Sequence, residues 1–141
     1  MNTMITAFTY CLGTSNGEPG NNMIDVSGVL PAITPEYIPG SFSFSIMIGL
    51  SGLDTGKQHT MSIVFGKGNE KPLVNTPEVT IPVQESNQTN LPGEAQGFVL
   101  SMDLKNVVFE EEGIYSTKVR VDNQELGEYK IYVAGKRKTK R

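Results

Sequence analysis

Gly113-Ile114-Tyr115-Ser116-Thr117-Lys118-Val119-Arg120-Val121-Asp122 decides the fold class. Tyr115, Thr117, Val119 and Val121 fall on one side of an extended segment, and Ser116, Lys118, Arg120 and Asp122 on the other. Side chains alternate between the two faces of a strand, so a period of two marks a strand with one dry face and one wet face. Working outward, the same pattern returns after a turn at Asp122-Asn123-Gln124-Glu125. There Tyr129, Ile131 and Val133 share the apolar face, while Glu128, Lys130 and Tyr132 take the other. Upstream, within residues 97–109, Phe98, Leu100, Met102 and Leu104 alternate with Val99, Ser101, Asp103 and Lys105.

Residues 41–50 give the cleanest alternation. Phe42, Phe44, Ile46, Ile48 and Leu50 share a face, and Ser41, Ser43, Ser45, Met47 and Gly49 share the other. Each large apolar side chain stabilises the fold by about 1.5–3 kcal/mol when fully buried. A slip of one residue in register would expose all five. Residues 59–65 follow a turn signal at Leu53-Asp54-Thr55-Gly56-Lys57 and place Met61, Ile63 and Phe65 on one face; the spacing predicts an antiparallel hairpin with 41–50. Two further strands are expected at 5–12 and 23–30, the second with Gly28 marking a bulge. A short one is expected at 79–83, where Pro82 implies a sheet edge or a neighbouring bulge.

Pro31, Pro35 and Pro39 exclude a long helix between them and read as a loop that crosses from one sheet to the other. Residues 86–96 read as a long exposed loop. The sum is about seven or eight short strands and no amphipathic helix longer than a turn. The expected fold is all-β: a two-sheet antiparallel β-sandwich, immunoglobulin-like or C2-like.

The chain of 141 residues suits one domain, drawn at 1–135. The net charge of -3 is unevenly placed. Five of the twelve basic residues fall within 136–141, which leaves seven basic and fifteen acidic groups in 1–135, a net of -8. That body is unlike a nucleic-acid-binding surface, which spreads cations over a folded face. The tail is expected to be disordered and solvated, able at most to make weak contacts with phosphates or an acidic partner. The N-terminal residues carry no basic region or continuous apolar core, and no stretch approaches the roughly 18 apolar residues of a membrane span; a cytoplasmic location without membrane contact is the expectation.

The corner Glu111-Glu112-Gly113-Ile114-Tyr115 resembles the acidic-Gly-x-Tyr corner of immunoglobulin-like sandwiches. The resemblance implies a structural role for Gly113 and Tyr115, with the tyrosine hydroxyl bonded back to upstream backbone. Thr117 stands where antibody domains place a cysteine, and there is no tryptophan. The whole layout is similar to a group of small bacterial and phage β-sandwich proteins that brings no activity with it. The shared features are an N-terminal strand, the loop from Pro31 to Pro39, the Ser/Phe strand and the closing Gly-x-Tyr hairpin.

No catalytic residue is assigned. His59 is the only histidine, so any triad base is His59, which beside its turn reads as exposed. Cys11 lies in an apolar run and reads as a small buried hydrophobe without a disulfide partner. Zinc needs three or four Cys or His ligands, and the chain has two. Glu110, Glu111 and Glu112 could face a calcium ion, but consecutive strand residues point to opposite sides. Gly66-Lys67-Gly68 and the Gly56-Lys57 turn lack the first glycine and the helix of a phosphate loop. No metal and no cofactor is therefore expected.

What remains is recognition through loops and edge strands. Tyr37 and Ile38 in the Pro-rich loop are the first candidate contact residues, and Tyr132 on the last strand is the second. The expected function is a non-catalytic interaction protein that binds a macromolecular partner, in first place a protein, with an inhibitor or adaptor role in phage–host conflict implied by the resemblance. The alternatives are a structural subunit of a phage virion or other self-assembling complex, which makes a homo-oligomer, and a small-ligand or carbohydrate-binding module.

Overall fold

The computed structural model describes residues 3–16, 23–54, 56–68, 70–81, 92 and 95–137. Its strands are β1 (Met4–Asn16), β2 (Ile24–Val29), β3 (Ala32–Ile33), β4 (Gly40–Ser51), β5 (His59–Gly66), β6 (Val74–Asn75), β7 (Val79–Ile81), β8 (Gly97–Phe109), β9 (Gly113–Val121) and β10 (Gln124–Val133). One sheet has the order β2-β1-β4-β8, and the other β3-β10-β9-β5-β6, with β7 also paired to β5. The fold is thus the expected all-β two-sheet sandwich. The ten strands among the described residues exceed the expected seven or eight because β3 and β6 are two-residue strands with no legible period.

Alternation sorts the core as expected. Phe44, Ile46, Ile48 and Leu50 of β4, Met61, Ile63 and Phe65 of β5, and Tyr115, Thr117, Val119 and Val121 of β9 are all buried between the sheets. Phe65 is the hub. Its ring lies 5.5 Å from Phe44, 6.3 Å from Tyr10, 6.0 Å from Phe109 and 5.8 Å from Tyr115, centroid to centroid. Phe44, Tyr10 and Phe109 belong to the first sheet and Phe65 and Tyr115 to the second, so one ring ties the layers together.

One polar link crosses the same interior. The Tyr10 hydroxyl donates to the Tyr129 carbonyl at 2.8 Å and lies 2.6 Å from Thr117 Oγ1. Its single proton goes to the carbonyl, which can only accept, so the Thr117 hydroxyl donates to Tyr10. Burial pushes the Tyr10 phenol up to about 12.

Three expectations about connection need correction. β4 and β5 are not a hairpin: β4 pairs with β1 and β8, and β5 with β9. The connection between β4 and β5 carries the chain from one layer to the other. Both strands have a largely apolar face, broken on β5 only by His59 at its start, and stacking them face to face buries both at once. The Pro-rich loop also does more than cross. From β2 it adds β3 to the margin of the second sheet, parallel to β10, and then returns to the first sheet as β4. Gly28 takes a positive φ of 66°, but the register of β1 with β2 runs through it without a slip, so it marks no bulge. Register shifts lie elsewhere, between Ile5 and Ala7, between Phe42 and Phe44, and between Glu125 and Gly127; opposite the second, Asn106 takes a φ of 54° and its N–H donates to Ser43 Oγ at 2.9 Å. The strand expected at 79–83 ends at Ile81; Pro82, and most of the loop expected at 86–96, lie outside the described residues.

Candidate functional site

At one end of the sandwich β4 begins, β8 ends, β9 begins and β10 ends. The corner between β8 and β9 is built by Tyr115, whose hydroxyl donates to the Glu111 carbonyl at 2.8 Å. Burial raises the Tyr115 phenol's pKa. Gly113 has a φ of 141°, and a side chain there would meet Lys67 Cε at 2.9 Å. The glycine therefore makes room for Lys67 to reach Glu111 Oε2 at 3.2 Å. That contact holds the Lys67 ammonium above its usual pKa. The third carboxylate of the acidic corner, Glu112, accepts the Gly135 N–H at 3.0 Å. Glu111 and Glu112 thus turn to different partners, and among the described residues no group of three or more His, Cys, Asp or Glu side chains could hold a metal ion.

The segment after β10 lies along the Pro-rich loop. Ala134 N–H donates to the Ile33 carbonyl at 3.1 Å, Lys136 N–H to Pro35 at 2.8 Å and Arg137 N–H to Glu36 at 3.0 Å. Arg137 Nε also meets Glu36 Oε1 at 2.7 Å. Lys136 and Arg137, the first residues of the basic tail, are therefore bonded to this loop; residues 138–141 lie outside the described residues. Tyr37 and Ile38 are half-buried, and Ile38 packs against the core. The peptide bond between Ile38 and Pro39 is cis. A side chain at Gly135 would meet the Ile38 amide nitrogen at 3.2 Å, which shows how closely the two segments run.

Tyr132 is 52% exposed on the outer face of the second sheet. Its register partners are Ala32 on β3 and Ile114 on β9, and Ile114 is 56% exposed. An apolar cross-strand pair thus sits beside the Pro-rich loop. Most of the rest of this outer face is polar, with Lys118 opposite Glu128 and Arg120 opposite Glu125, although Val64 of β5, paired with Lys118, is apolar and half-buried. Ile114 was not singled out from the sequence. The signal was available: it precedes Tyr115, so it belongs to the wet face, where a large apolar residue stands out. Around the corner, Lys67, Lys71, Leu73, Val108, Glu111 and Tyr115 help line an open cleft of about 420 Å³.

At the other end, His59 is buried rather than exposed as the turn beside it suggested. Its Nδ1 lies 2.7 Å from Asp122 Oδ2 and its Nε2 2.7 Å from the Asp54 carbonyl. Asp122 also accepts the Thr60 N–H at 3.0 Å. Cys11 has no exposure, donates weakly to the Ser45 carbonyl at 3.6 Å, and has its thiol pKa pushed up by burial. Neither side chain presents a free reactive atom.

A family model described as "Family of unknown function (DUF6941)" matches residues 8–134, and the chain belongs to that family. No curated protein matches it. Among solved structures, a β-glucosidase from Listeria innocua in complex with glucose aligns with 92% of this chain and 16% of its own, at 9% identity and a TM-score of 0.47. Pseudomonas fluorescens alkylpurine DNA glycosylase AlkC, bound to DNA containing an abasic site analog, aligns with 93% of this chain and 30% of its own, at 11% identity and a TM-score of 0.45. The chain spans less than a third of either protein, and at these scores the likeness carries no argument about activity. Among the described residues no helix is long and apolar enough to cross a membrane.

Proposed function

We propose that this member of the DUF6941 family acts by binding a macromolecular partner, without catalysis, through the corner end of its sandwich. The observation that carries the reading is the exposed Tyr132–Ile114 pair, set in an outer face that is otherwise mainly charged and polar. Aromatic side chains that bury a large apolar body around a polar tip are common binding anchors. The Tyr37–Ile38 loop borders the pair through β3, so the contact residues expected from the sequence lie on one continuous end of the molecule.

The engagement of both ring nitrogens of His59 and the complete burial of Cys11 support a non-catalytic role. The sheet orders support reading the sandwich as immunoglobulin-like. β1-β4-β8 and β10-β9-β5 match the A-B-E and G-F-C sets of that fold, with the Tyr115 hydroxyl at its corner position. On this reading the protein works in the cytoplasm, where a single reduced thiol suits the compartment. Its partner is a protein, and an inhibitor or adaptor in a phage–host conflict is the role that fits.

A photo-crosslinking side chain placed at position 132 and, as a control, at Ser62 on the same outer face tests the reading. The partner should crosslink at 132 and not at 62. The double variant Tyr132→Ser, Ile114→Ser should lose the partner while its unfolding midpoint stays near that of the parent. Equal crosslinking at both positions, or full retention by the double variant, would sink it.

Self-assembly is the second reading, and β2 favours it. This strand pairs with β1 alone among the described residues and carries no lysine, arginine or proline to discourage another edge. Met23 and Val29 at its ends and Leu12 on β1 are more than half exposed. Light scattering at high concentration decides it: growth in mass that Val26→Lys abolishes supports assembly through β2, and a strict monomer removes it.

A further inference from the structure

His59, the sole histidine, lies outside the interaction surface, and its contacts constrain its protonation. The ring is nearly buried, with a side chain 10% exposed. Each nitrogen faces an oxygen that can only accept: Asp122 Oδ2 at Nδ1 and the Asp54 carbonyl at Nε2, both at 2.7 Å. A neutral imidazole has one N–H and one lone pair, so it can satisfy only one of the two; the imidazolium satisfies both. We propose that His59 is a doubly protonated latch that clamps the β4–β5 connection against the β9–β10 turn, and that loss of one proton at rising pH releases the connection.

The charged groups around the ring are few. Asp122 comes from the β9–β10 turn and Asp54 from the β4–β5 connection, with Lys57 3.9 Å from the Asp54 carboxylate. β7 pairs with His59 through Ile81, which brings no charge. When the ring becomes neutral, the carboxylate keeps its N–H, because a charged acceptor holds a hydrogen bond more strongly than a carbonyl. The proton leaves from Nε2 to solvent, and a nitrogen lone pair then opposes the Asp54 carbonyl oxygen. That carbonyl also accepts the Lys57 N–H at 3.2 Å, and the Asp54 carboxylate accepts the Gly56 N–H at 2.9 Å, so Asp54 is tied to Gly56 and Lys57 as well as to the ring. Burial by itself would favour the neutral ring, but the bonds to Asp122 and Asp54 outweigh it and hold the ring's pKa above the ordinary value. The direction follows. The latch is fully closed below the ordinary histidine pKa of about 6.5 and opens as pH rises through the higher folded value.

The experiment is a pH series from 5 to 9.5 on the full ¹⁵N-labelled chain. Long-range nitrogen–proton spectra report the two ring nitrogens of this sole histidine, and hydrogen exchange reports the Lys57 amide. Both nitrogens should be protonated at pH 6, the midpoint should lie above that of an exposed histidine, and Nε2 should be the nitrogen that loses its proton. Protection of the Lys57 amide should fall by about tenfold for each unit that the folded pKa exceeds the unfolded one. His59→Gln should remove the pH dependence; if that variant fails to fold, the parent's spectra alone decide. A single-tautomer ring at pH 6, a midpoint at or below the ordinary value, or Lys57 protection that stays flat while the ring titrates would overturn the proposal.

Discussion

At the scale of single residues, the interior depends on one aromatic and one polar contact. Phe65 touches rings from both sheets, so Phe65→Ala should cost about 3–5 kcal/mol, the range for truncating a large buried aromatic. Urea unfolding should show the loss in the midpoint with little change in slope. The Tyr10–Thr117 link gives an ordered pair of outcomes. Tyr10→Phe strips the Tyr129 carbonyl and the Thr117 hydroxyl of their partner, and an orphaned buried group costs about 1–3 kcal/mol. Thr117→Val keeps the bond to Tyr129 and fills the same space, so it should cost about 1 kcal/mol or less. The reverse order in unfolding midpoints would contradict the assigned donors. Thr117's face was legible from the alternation of its strand, but its partner was not, because Tyr10 lies 107 residues away. His59 shows the opposite failure. It shares the parity of Met61, Ile63 and Phe65, so the period already put it on the dry face. The nearby turn signal outweighed that parity in the sequence reading, and the parity was right.

At the scale of elements, the β9–β10 hairpin sets the register of the second sheet. Val121 pairs with Gln124 across Asp122 and Asn123, whose φ values are 50° and 65°. Positive φ at both central positions is the type I′ geometry that matches strand twist, and Asp and Asn tolerate it. Asn123→Gly should leave stability unchanged or raise it slightly, whereas Asn123→Val should lose about 1–2 kcal/mol, as a β-branched residue does at positive φ. The same turn carries an acid limb. Burial would raise the Asp122 pKa, but the bonds from His59 and the Thr60 N–H lower it below the usual aspartate value. A lowered folded pKa means that the stabilisation is complete above the unfolded pKa of about 3.9 and is lost as pH falls through the folded one. The unfolding temperature should therefore drop below about pH 4 in the parent, and less steeply in Asp122→Asn. Turn chemistry was readable from the sequence, but the layer to which a turn delivers the next strand was not. Leu53 to Lys57 and Asp122 to Glu125 look equally turn-like, yet only the second closes a hairpin. Two-residue strands such as β3 are set by the neighbour they meet, here Tyr132 and Val133, and leave no period to read.

At the scale of the whole molecule, class and contact surface differ in how far the sequence reveals them. The class follows from local alternation repeated along the chain, and each strand votes independently. The surface does not, because it is assembled from segments near residues 32–38, 108–115 and 132–137 that meet only after both sheets have formed. Tyr132 could be read as outward-facing, but its pairing with Ile114 and its position beside β3 could not. The same long-range assembly governs folding. β1 must find β4 in its own sheet and Tyr129 of β10 in the other, and β4 must stack on β5 instead of zipping to it as a hairpin. Bringing β1 to β4 and to β10 closes large loops before any contact offsets the lost chain entropy. Refolding should therefore take milliseconds to seconds, as in other all-β domains dominated by non-local pairing. Stopped-flow dilution from urea, followed by tyrosine fluorescence and by far-ultraviolet circular dichroism, checks this. The two probes should report the same rate, because Phe65 and Tyr10 join both layers in one cooperative core. Complete refolding within microseconds, or one sheet forming well before the other, would mean that local structure drives this chain rather than the meeting of its two layers.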